Sequence, residues 1–209
     1  HLPLILNEER AKLSKRHGAV SVEEFRERGY LPQALLNFIA LLGWNPGDDR
    51  EVLSLEEMVD EFRFERVSKS GAVFDREKLN WMNQQYLLKL PEEEYFRMID
   101  HVIQKGDYHD QDPGKIRQAA EILKTRLVTL SDLNQKLGLF FEENPEIKDL
   151  QAIEVLKEDN SKTVLKEFLQ QAENLDQLTS ENLGQLVKSV QKSTGIKGRG
   201  LWMPLRCAI

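Results

Sequence analysis

The residues whose types and spacing could do chemistry lie near the start of the chain, in Lys12-Leu13-Ser14-Lys15-Arg16 followed by Gly18. Two ammonium groups three residues apart, with a hydroxyl between them, make a short basic loop. Gly18 gives that loop backbone freedom, and Ser21 marks where the next helix starts. Such a loop can fold over a polyphosphate, its lysines neutralising charge that develops on phosphate oxygens. Residue types alone do not establish this, because basic pentapeptides are common and a solvated loop is the blander reading. Other groupings carry less. His109, Asp110 and Asp112 are metal-capable types, yet they precede Pro113 and suit a turn and a helix cap better. His101 and His109 lie eight residues apart with no cysteine or third ligand nearby, so no metal site is expected. Glu92, Glu93 and Glu94 read as a helix start, where the dipole favours negative charge, rather than as a catalytic carboxylate pair.

The elements that must position the loop are helical. Ser21 with Glu24, and Ser54 with Glu57, form capping boxes. The first opens a short helix ending at Gly29; the second opens one with Leu55, Met58, Val59 and Phe62 on one side. Pro32 suits a first helical turn, and Leu35, Leu36, Phe38, Ile39 and Leu42 then form an apolar face up to Gly43. Asp75 starts a helix carrying Leu79, Trp81, Met82 and Tyr86. The helix after Pro91 buries Tyr95, Phe96, Ile99 and Ile103 and ends at Gly106. Further helices are predicted over 113–126, 131–141, 161–172 and 180–192, each with a cap or proline and apolar residues at three and four spacing. Strand signals are weak, at 1–6 and 67–74. The predicted fold is mainly α, with boundaries near Pro91 and around 144–149. Trp44 and Trp81 sit in apolar helical settings and are predicted to be core; Trp202 stays open.

Composition sets the frame. The 209 residues are 40% hydrophobic and 31% charged, which supports a packed core and argues against wholesale disorder. The lone Cys207 rules out an internal disulfide and fits a reducing, cytoplasmic setting. No apolar run is long enough to span a membrane. A chain opening on His1 reads as a piece of something longer. The net charge of −6 argues against nucleic-acid binding only as an average. The stretch 131–181 holds twelve acids and five bases, whereas 182–209 holds no acid and five bases: Lys188, Lys192, Lys197, Arg199 and Arg206. Phosphate contacts depend on local charge, so a net-negative chain can still meet a polyanion through such a patch. Lys197-Gly198-Arg199-Gly200 reads as a mobile basic turn near phosphate or an exposed base.

The run Pro3-Leu4-Ile5-Leu6-Asn7 … Arg10-Ala11-Lys12-Leu13-Ser14-Lys15-Arg16-His17-Gly18 closely resembles bacterial glutamyl-tRNA synthetases, a family of class I aminoacyl-tRNA synthetases. The segment matches the family's "KMSKS" loop, with Leu13 for Met and Arg16 for the final Ser. The likeness continues through Gly29-Tyr30-Leu31-Pro32-Gln33-Ala34-Leu35-Leu36-Asn37, Leu41-Leu42-Gly43-Trp44 and Trp81-Met82-Asn83, and reaches Pro204-Leu205-Arg206. By resemblance, Lys15 contacts ATP phosphates while Lys12 and Ser14 support the closed loop, in an enzyme using ATP with magnesium to activate glutamate and charge tRNA-Glu. The resemblance also implies the tRNA-recognition half of such an enzyme, in the cytoplasm, as a monomer. It divides the chain into the end of a catalytic domain (1–20), a helical stem-contact region (21–90) and two anticodon-binding subdomains (91–145 and 146–209). The all-helical reading favours the glutamyl type over glutaminyl enzymes, whose anticodon-binding region is built from β-barrels.

Within that resemblance the segment Lys124–Leu130 matches a part of the anticodon domain where an arginine reads a base. Arg126 is the expected reader and Arg117 its competitor, since a guanidinium both stacks on a base and donates parallel hydrogen bonds. The alternative is that Arg126 simply pairs with Glu121 or Asp132. Lys188, Lys192, Lys197 and Arg199 are expected to contact RNA, with an inert basic surface as the other reading. A class I site also needs a "HIGH" motif, and His1, His17, His101 and His109 lie in no His-x-Gly-His arrangement. The chain alone is therefore expected to bind tRNA without forming adenylate. A stand-alone helical RNA-binding module and a helical protein-interaction scaffold using the acidic 131–181 stretch remain the alternatives.

Overall fold

Helices dominate the computed structural model, which describes residues 4–14, 21–142, 147, 149–175 and 179–208. The chain divides into two units, His1–Phe141 and Glu142–Ile209. In the first, β1 (Ile5–Leu6) pairs in parallel with β2 (Ala72–Val73), Ile5 opposite Ala72 and Leu6 opposite Val73. Between them run α1 (Val22–Glu27), α2 (Pro32–Gly43) and α3 (Leu55–Glu61), and after β2 come α4 (Arg76–Lys89), α5 (Glu92–Gln104), α6 (Pro113–Leu123) and α7 (Asp132–Phe141). A 3-10 turn, Lys124–Arg126, joins α6 to the loop before α7. The second unit holds α8 (Leu150–Lys157), α9 (Asp159–Ala172), α10 (Ser180–Thr194) and α11 (Arg199–Ala208). Among the described residues no helix is long and apolar enough to cross a membrane.

Local chemistry sets the helix starts. Ser21 and Ser54 both close the capping boxes anticipated from their spacing, and Asp75 caps α4 by accepting from the Lys78 amide. Asp112 caps α6 at 2.8 Å from the Lys115 nitrogen, and His109 Nδ1 lies 3.1 Å from the Gly106 carbonyl. Those two residues thus serve the turn and cap expected of them.

One apolar core runs through α2, α4, α5, α6 and α7, joining Leu31, Ala34 and Leu87 to Tyr95, Ile99, Ala120, Leu127 and Leu133. A second packs Phe25, Tyr30, Phe38, Leu79 and Met82, with Phe74 edge-on to Phe38. Residues on both sides of position 90 therefore share a core. Two polar side chains, Asn37 fully buried and Tyr86 half-buried, hold the layers in register. Asn37, which interrupts the apolar face of α2, accepts from the Leu53 amide (2.9 Å) and from the Tyr86 hydroxyl (2.9 Å). The Tyr86 hydroxyl also contacts the Leu53 carbonyl; burial, aided by the Glu57 carboxylate, pushes it up to about 12, so it stays a donor at neutral pH.

Several expectations change. Trp44 is core, but Trp81 is 42% exposed on the outer side of α4, because Leu79, Met82 and Asn83 take the inward positions. In α3 only Met58 is buried; Leu55, Val59 and Phe62 are exposed and, with Leu36, Ala40 and Met58, line a small apolar groove of about 330 Å³. In α5, Phe96 is only half-buried. Helix α8, absent from the sequence prediction, is capped by Asp149, which accepts from the amides of Gln151 and Ala152. The next helix begins at Asp159 rather than Ser161, whose buried hydroxyl donates to the Val155 carbonyl in the preceding helix. The expected turn over Lys197–Gly200 is shorter: Gly198 takes φ 58° in a turn, and Arg199 and Gly200 already belong to α11.

Gly29 marks the closest approach of backbone to backbone. It has φ 77°, and a Cβ there would lie 2.6 Å from the Ser131 nitrogen and 2.9 Å from the Leu130 nitrogen. Left-handed backbone disfavours any side chain, and here backbone on the far side has no room to yield. Gly29→Ala should destabilise the first unit by at least about 2 kcal/mol, read from the denaturant midpoint.

Candidate nucleic-acid interface

The segment containing the expected phosphate loop folds back on β1. Asn7 and Arg10 form a tight turn, with Arg10 at φ 60° and the Asn7 carboxamide accepting from the Ala11 amide at 2.7 Å. That reversal bridges Lys12 to Leu6 and lets the Leu13 amide donate to the Ile5 carbonyl at 3.0 Å. Lys12 is exposed, and its ammonium has no ion-pair partner among the described residues; Ser14 follows two positions later, half-buried and engaged. Lys15, with Arg16 and Gly18, lies outside the described residues. A cation and a hydroxyl directly after a fixed strand suit the oxygens of a polyphosphate.

The loop carrying Arg126 is held from three directions. Asn83, fully buried on α4, accepts from the Leu31 amide at 2.8 Å and donates to the Val128 carbonyl at 2.5 Å. Gln84, beside it, donates to the Thr125 carbonyl at 3.0 Å. From the α1–α2 turn, the Gly29 carbonyl accepts from the Leu130 amide, and the Arg28 carbonyl accepts from the Ser131 hydroxyl at 2.6 Å. From α7, the Asp132 carboxylate accepts from the amides of Val128 (3.0 Å) and Thr129 (2.8 Å). Asp132 is thus spent on the backbone and does not pair with Arg126, and neither does Glu121. Arg126 is exposed, without an ion pair among the described residues. All five of its N–H donors are available on a fixed backbone.

Arg117 is differently placed. Its guanidinium lies 5.3 Å from the centroid of the Phe96 ring and 3.5 Å from the Asp100 carboxylate. It lines an open groove of about 1660 Å³ whose cations, among them Arg26, Arg97 and Lys105, are interleaved with Glu27, Glu92, Glu93 and Asp100. Neighbouring Lys124 is also occupied, donating to the Leu90 carbonyl at 3.2 Å with its ammonium 4.7 Å from the centroid of the Tyr95 ring. Of the cations near the turn, Arg126 therefore keeps the freest donors.

In the second unit Lys188, Lys192, Lys197, Arg199 and Arg206 are all exposed, and none pairs with a carboxylate among the described residues. The first two lie one turn apart on α10, whose other side buries Leu186, Val187 and Val190 against Val164 of α9. Lys197 precedes α11 and Arg199 opens it. The cations expected from the acid-free C-terminal stretch thus lie on α10, on α11 and between them in the second unit, both helices packing on α9, whereas Arg126 belongs to the first unit.

Residues 82–209 match the family model described as an anticodon binding domain. The chain belongs to that anticodon-binding family. Residues 1–81 match a second model, described as the catalytic domain of class I tRNA synthetases (E and Q). Over its full length the chain is 39% identical to glutamate–tRNA ligase 1 of Caldicellulosiruptor saccharolyticus and 41% identical to glutamate–tRNA ligase 2 of Syntrophus aciditrophicus, covering 44% and 43% of them. It also resembles, with a TM-score of 0.68 and 30% identity, the crystal structure of a glutamate tRNA ligase from Elizabethkingia meningosepticum in complex with its amino acid, covering 99% of this chain and 44% of that one. The chain thus spans under half the length of the relatives it matches, and what it matches is their C-terminal part.

Asn83 and Gly29 are structural supports of the loop before α7 that residue type alone did not single out; each acts through a partner more than forty positions away in sequence. Replacing Asn83 by Leu leaves the Leu31 amide and the Val128 carbonyl buried and unpaired. Asn83→Leu should cost about 2–5 kcal/mol in stability and raise amide exchange across 124–131, as followed by hydrogen–deuterium exchange.

Proposed function

We propose that this chain is the tRNA-recognition part of a glutamate–tRNA ligase, binding tRNA-Glu with Arg126 as a reader of an anticodon base. The observation that carries this reading is an exposed, unpaired guanidinium on a turn fixed by Asn83, Gly29 and Asp132, within residues matching an anticodon-binding domain. A base reader needs that combination, because donors already spent on carboxylates discriminate little and donors on a loose loop are ordered only at an entropic cost. Arg117, partnered by Phe96 and Asp100, takes the secondary place. Lys188, Lys192, Lys197 and Arg199 act on the phosphate backbone, giving affinity without sequence information. Residues 21–90 serve as the stem-contact region, and 91–145 and 146–209 as the two anticodon-binding subdomains, in a monomeric cytoplasmic enzyme.

Lys15 would contact the phosphates of ATP in the parent enzyme, with Lys12 and Ser14 supporting the closed loop; magnesium-bound ATP would supply the adenylyl group there, with pyrophosphate as the leaving group. Their part is electrostatic: ammonium groups and a hydroxyl oriented at phosphate oxygens. The groups that bind glutamate and the rest of the nucleotide lie in the portion of the relatives that this chain does not cover.

Two measurements test the reading. Arg126→Gln should lose about 1–3 kcal/mol of discrimination between tRNA-Glu and a transcript with a substituted anticodon while binding both with similar residual affinity; unchanged discrimination would remove Arg126 from the role. The chain by itself should show no glutamate-dependent ATP–pyrophosphate exchange above background, and exchange at enzyme-like rates would contradict the division of labour proposed for it.

A further inference from the structure

Helix α2 carries no charged residue along its length, yet it is not enclosed on all sides. Ala34, Leu35, Asn37 and Phe38 take its inward positions, while Leu36 and Ile39 stay exposed. Helix α3 repeats the pattern: Met58 is buried, and Leu55 and Val59 remain 51% and 67% exposed. Between the two helices runs the apolar groove of about 330 Å³ lined by Leu36, Ala40, Leu55, Met58, Val59 and Phe62. Its end wall is firm. Phe62 packs against the buried Trp44 at 5.9 Å, and Phe64, 82% exposed, stands edge-on to Phe62 at 5.3 Å. The surroundings are strongly acidic, with eight acids and two bases over 48–65. Both bases are engaged: Arg50 pairs with Asp48, Glu57 and Glu61, and Arg63 donates to the Asp60 and Phe62 carbonyls. Helical spacing sets Glu56 and Asp60, one turn apart, in the row beside Leu55 and Val59. Those two and Glu65 are exposed, with no ion pair among the described residues.

We propose that this groove takes an amphipathic helix of a partner protein, apolar on one face and flanked by lysine or arginine. Such an occupant is independent of the tRNA reading. A helix without charges is ordinarily covered on every side, so the open apolar face of α2 marks an interaction site. Length and lining select the shape of the occupant. Leu55 and Phe62 are seven residues apart, so the groove runs about 10 Å, two helical turns, which suits anchors at i, i+3 or i+4, and i+7. An extended peptide fits poorly, because the backbone groups of both walls are spent inside their own helices and leave no ladder to join. Charge selects the flanks. Lysine or arginine stems can lie across the apolar surface with their heads at Glu56, Asp60 and Glu65. The same carboxylates repel the phosphates of RNA, and a second copy of this chain would bring acid against acid.

The test uses this chain and a fluorescein-labelled synthetic helix of about four turns, with Leu at i, i+3, i+4 and i+7 and Lys on both flanks. Binding should raise the label's anisotropy and protect the amides of 36–40 and 55–62 in the unaltered chain from hydrogen exchange. A twin peptide with Glu for Lys should bind about 10-fold more weakly, and one with Ser for Leu should not bind. Leu55→Ser with Val59→Ser, both at exposed positions, should weaken the Lys peptide about 10-fold while keeping the parent's unfolding midpoint. Glu56→Gln with Asp60→Asn should weaken it about 3-fold and flatten its salt dependence. Should the variants unfold, the exchange pattern of the unaltered chain decides alone. The proposal is overturned if the Glu twin binds equally well, if the Ser variants bind like the parent, or if protection appears outside the groove. It fails likewise if tRNA-Glu displaces the peptide, which would make the groove an RNA surface, or if the chain self-associates through Leu55 and Val59, which would give it to a second copy. A longer protein carrying the relatives' upstream portion in front of His1, and no longer binding the peptide, would overturn it by assigning the groove to that portion.

Discussion

The carboxamide of Asn83 joins two backbone segments that also meet each other directly, through the Gly29 carbonyl and the Leu130 amide. It satisfies an amide at the start of α2 and a carbonyl in the loop before α7, both removed from water. A buried amide or carbonyl without a partner is expensive, so each of these segments is confined to the positions where Asn83 can reach it. The constraint spreads from there. Leu31 and Ala34 follow α2 into the core shared with Tyr95 and Leu133, and Gly29, just upstream, is pressed against Leu130 and Ser131 so closely that a side chain cannot fit. The turn bearing Arg126 is held by this arrangement together with the bond from Gln84 to the Thr125 carbonyl and the contacts of Lys124 with the Leu90 carbonyl and the Tyr95 ring.

A fixed backbone under a free guanidinium is a division of roles between neighbouring polar residues. Asp132, six residues beyond Arg126, is used on the amides of Val128 and Thr129, and Glu121, five residues before Arg126, makes no ion pair with it among the described residues. Lys124 is drawn into the protein by the Leu90 carbonyl and the Tyr95 ring. Arg117 is shared between a ring and a carboxylate. Electrostatics at this surface is therefore decided pair by pair, and the net charge of the chain has little bearing on it. The second unit follows a different plan, with all its acids before 182 and only bases after it, and a helix α11 whose apolar side is consumed by the core while its basic and aromatic side is not.

Much of this was legible in the chain. Capping boxes at Ser21 and Ser54, the proline starts and the apolar spacing located most helices, because caps and periodicity are local and survive any packing. The basic C-terminal stretch and the loop at Lys12 could be read from charge alone, although Lys12 and Ser14 gain meaning only beside β1. Helix α8 is only eight residues long and runs into the next helix within two positions, so its apolar spacing does not stand apart, and α11 carries a glycine and an internal proline that mask its pattern.

The sequence by itself determined the helical class, the segregation of charge and the candidate cations, since each follows from residue type and near-neighbour spacing. Only the tertiary structure decided which cations remain free, which face of α4 takes Trp81 outward, and why Asn83 and Gly29 admit no substitute. Those outcomes depend on contacts between residues tens of positions apart. Asp132, six residues from Arg126, is an available partner in sequence, and in the fold its carboxylate accepts from the amides of Val128 and Thr129 instead.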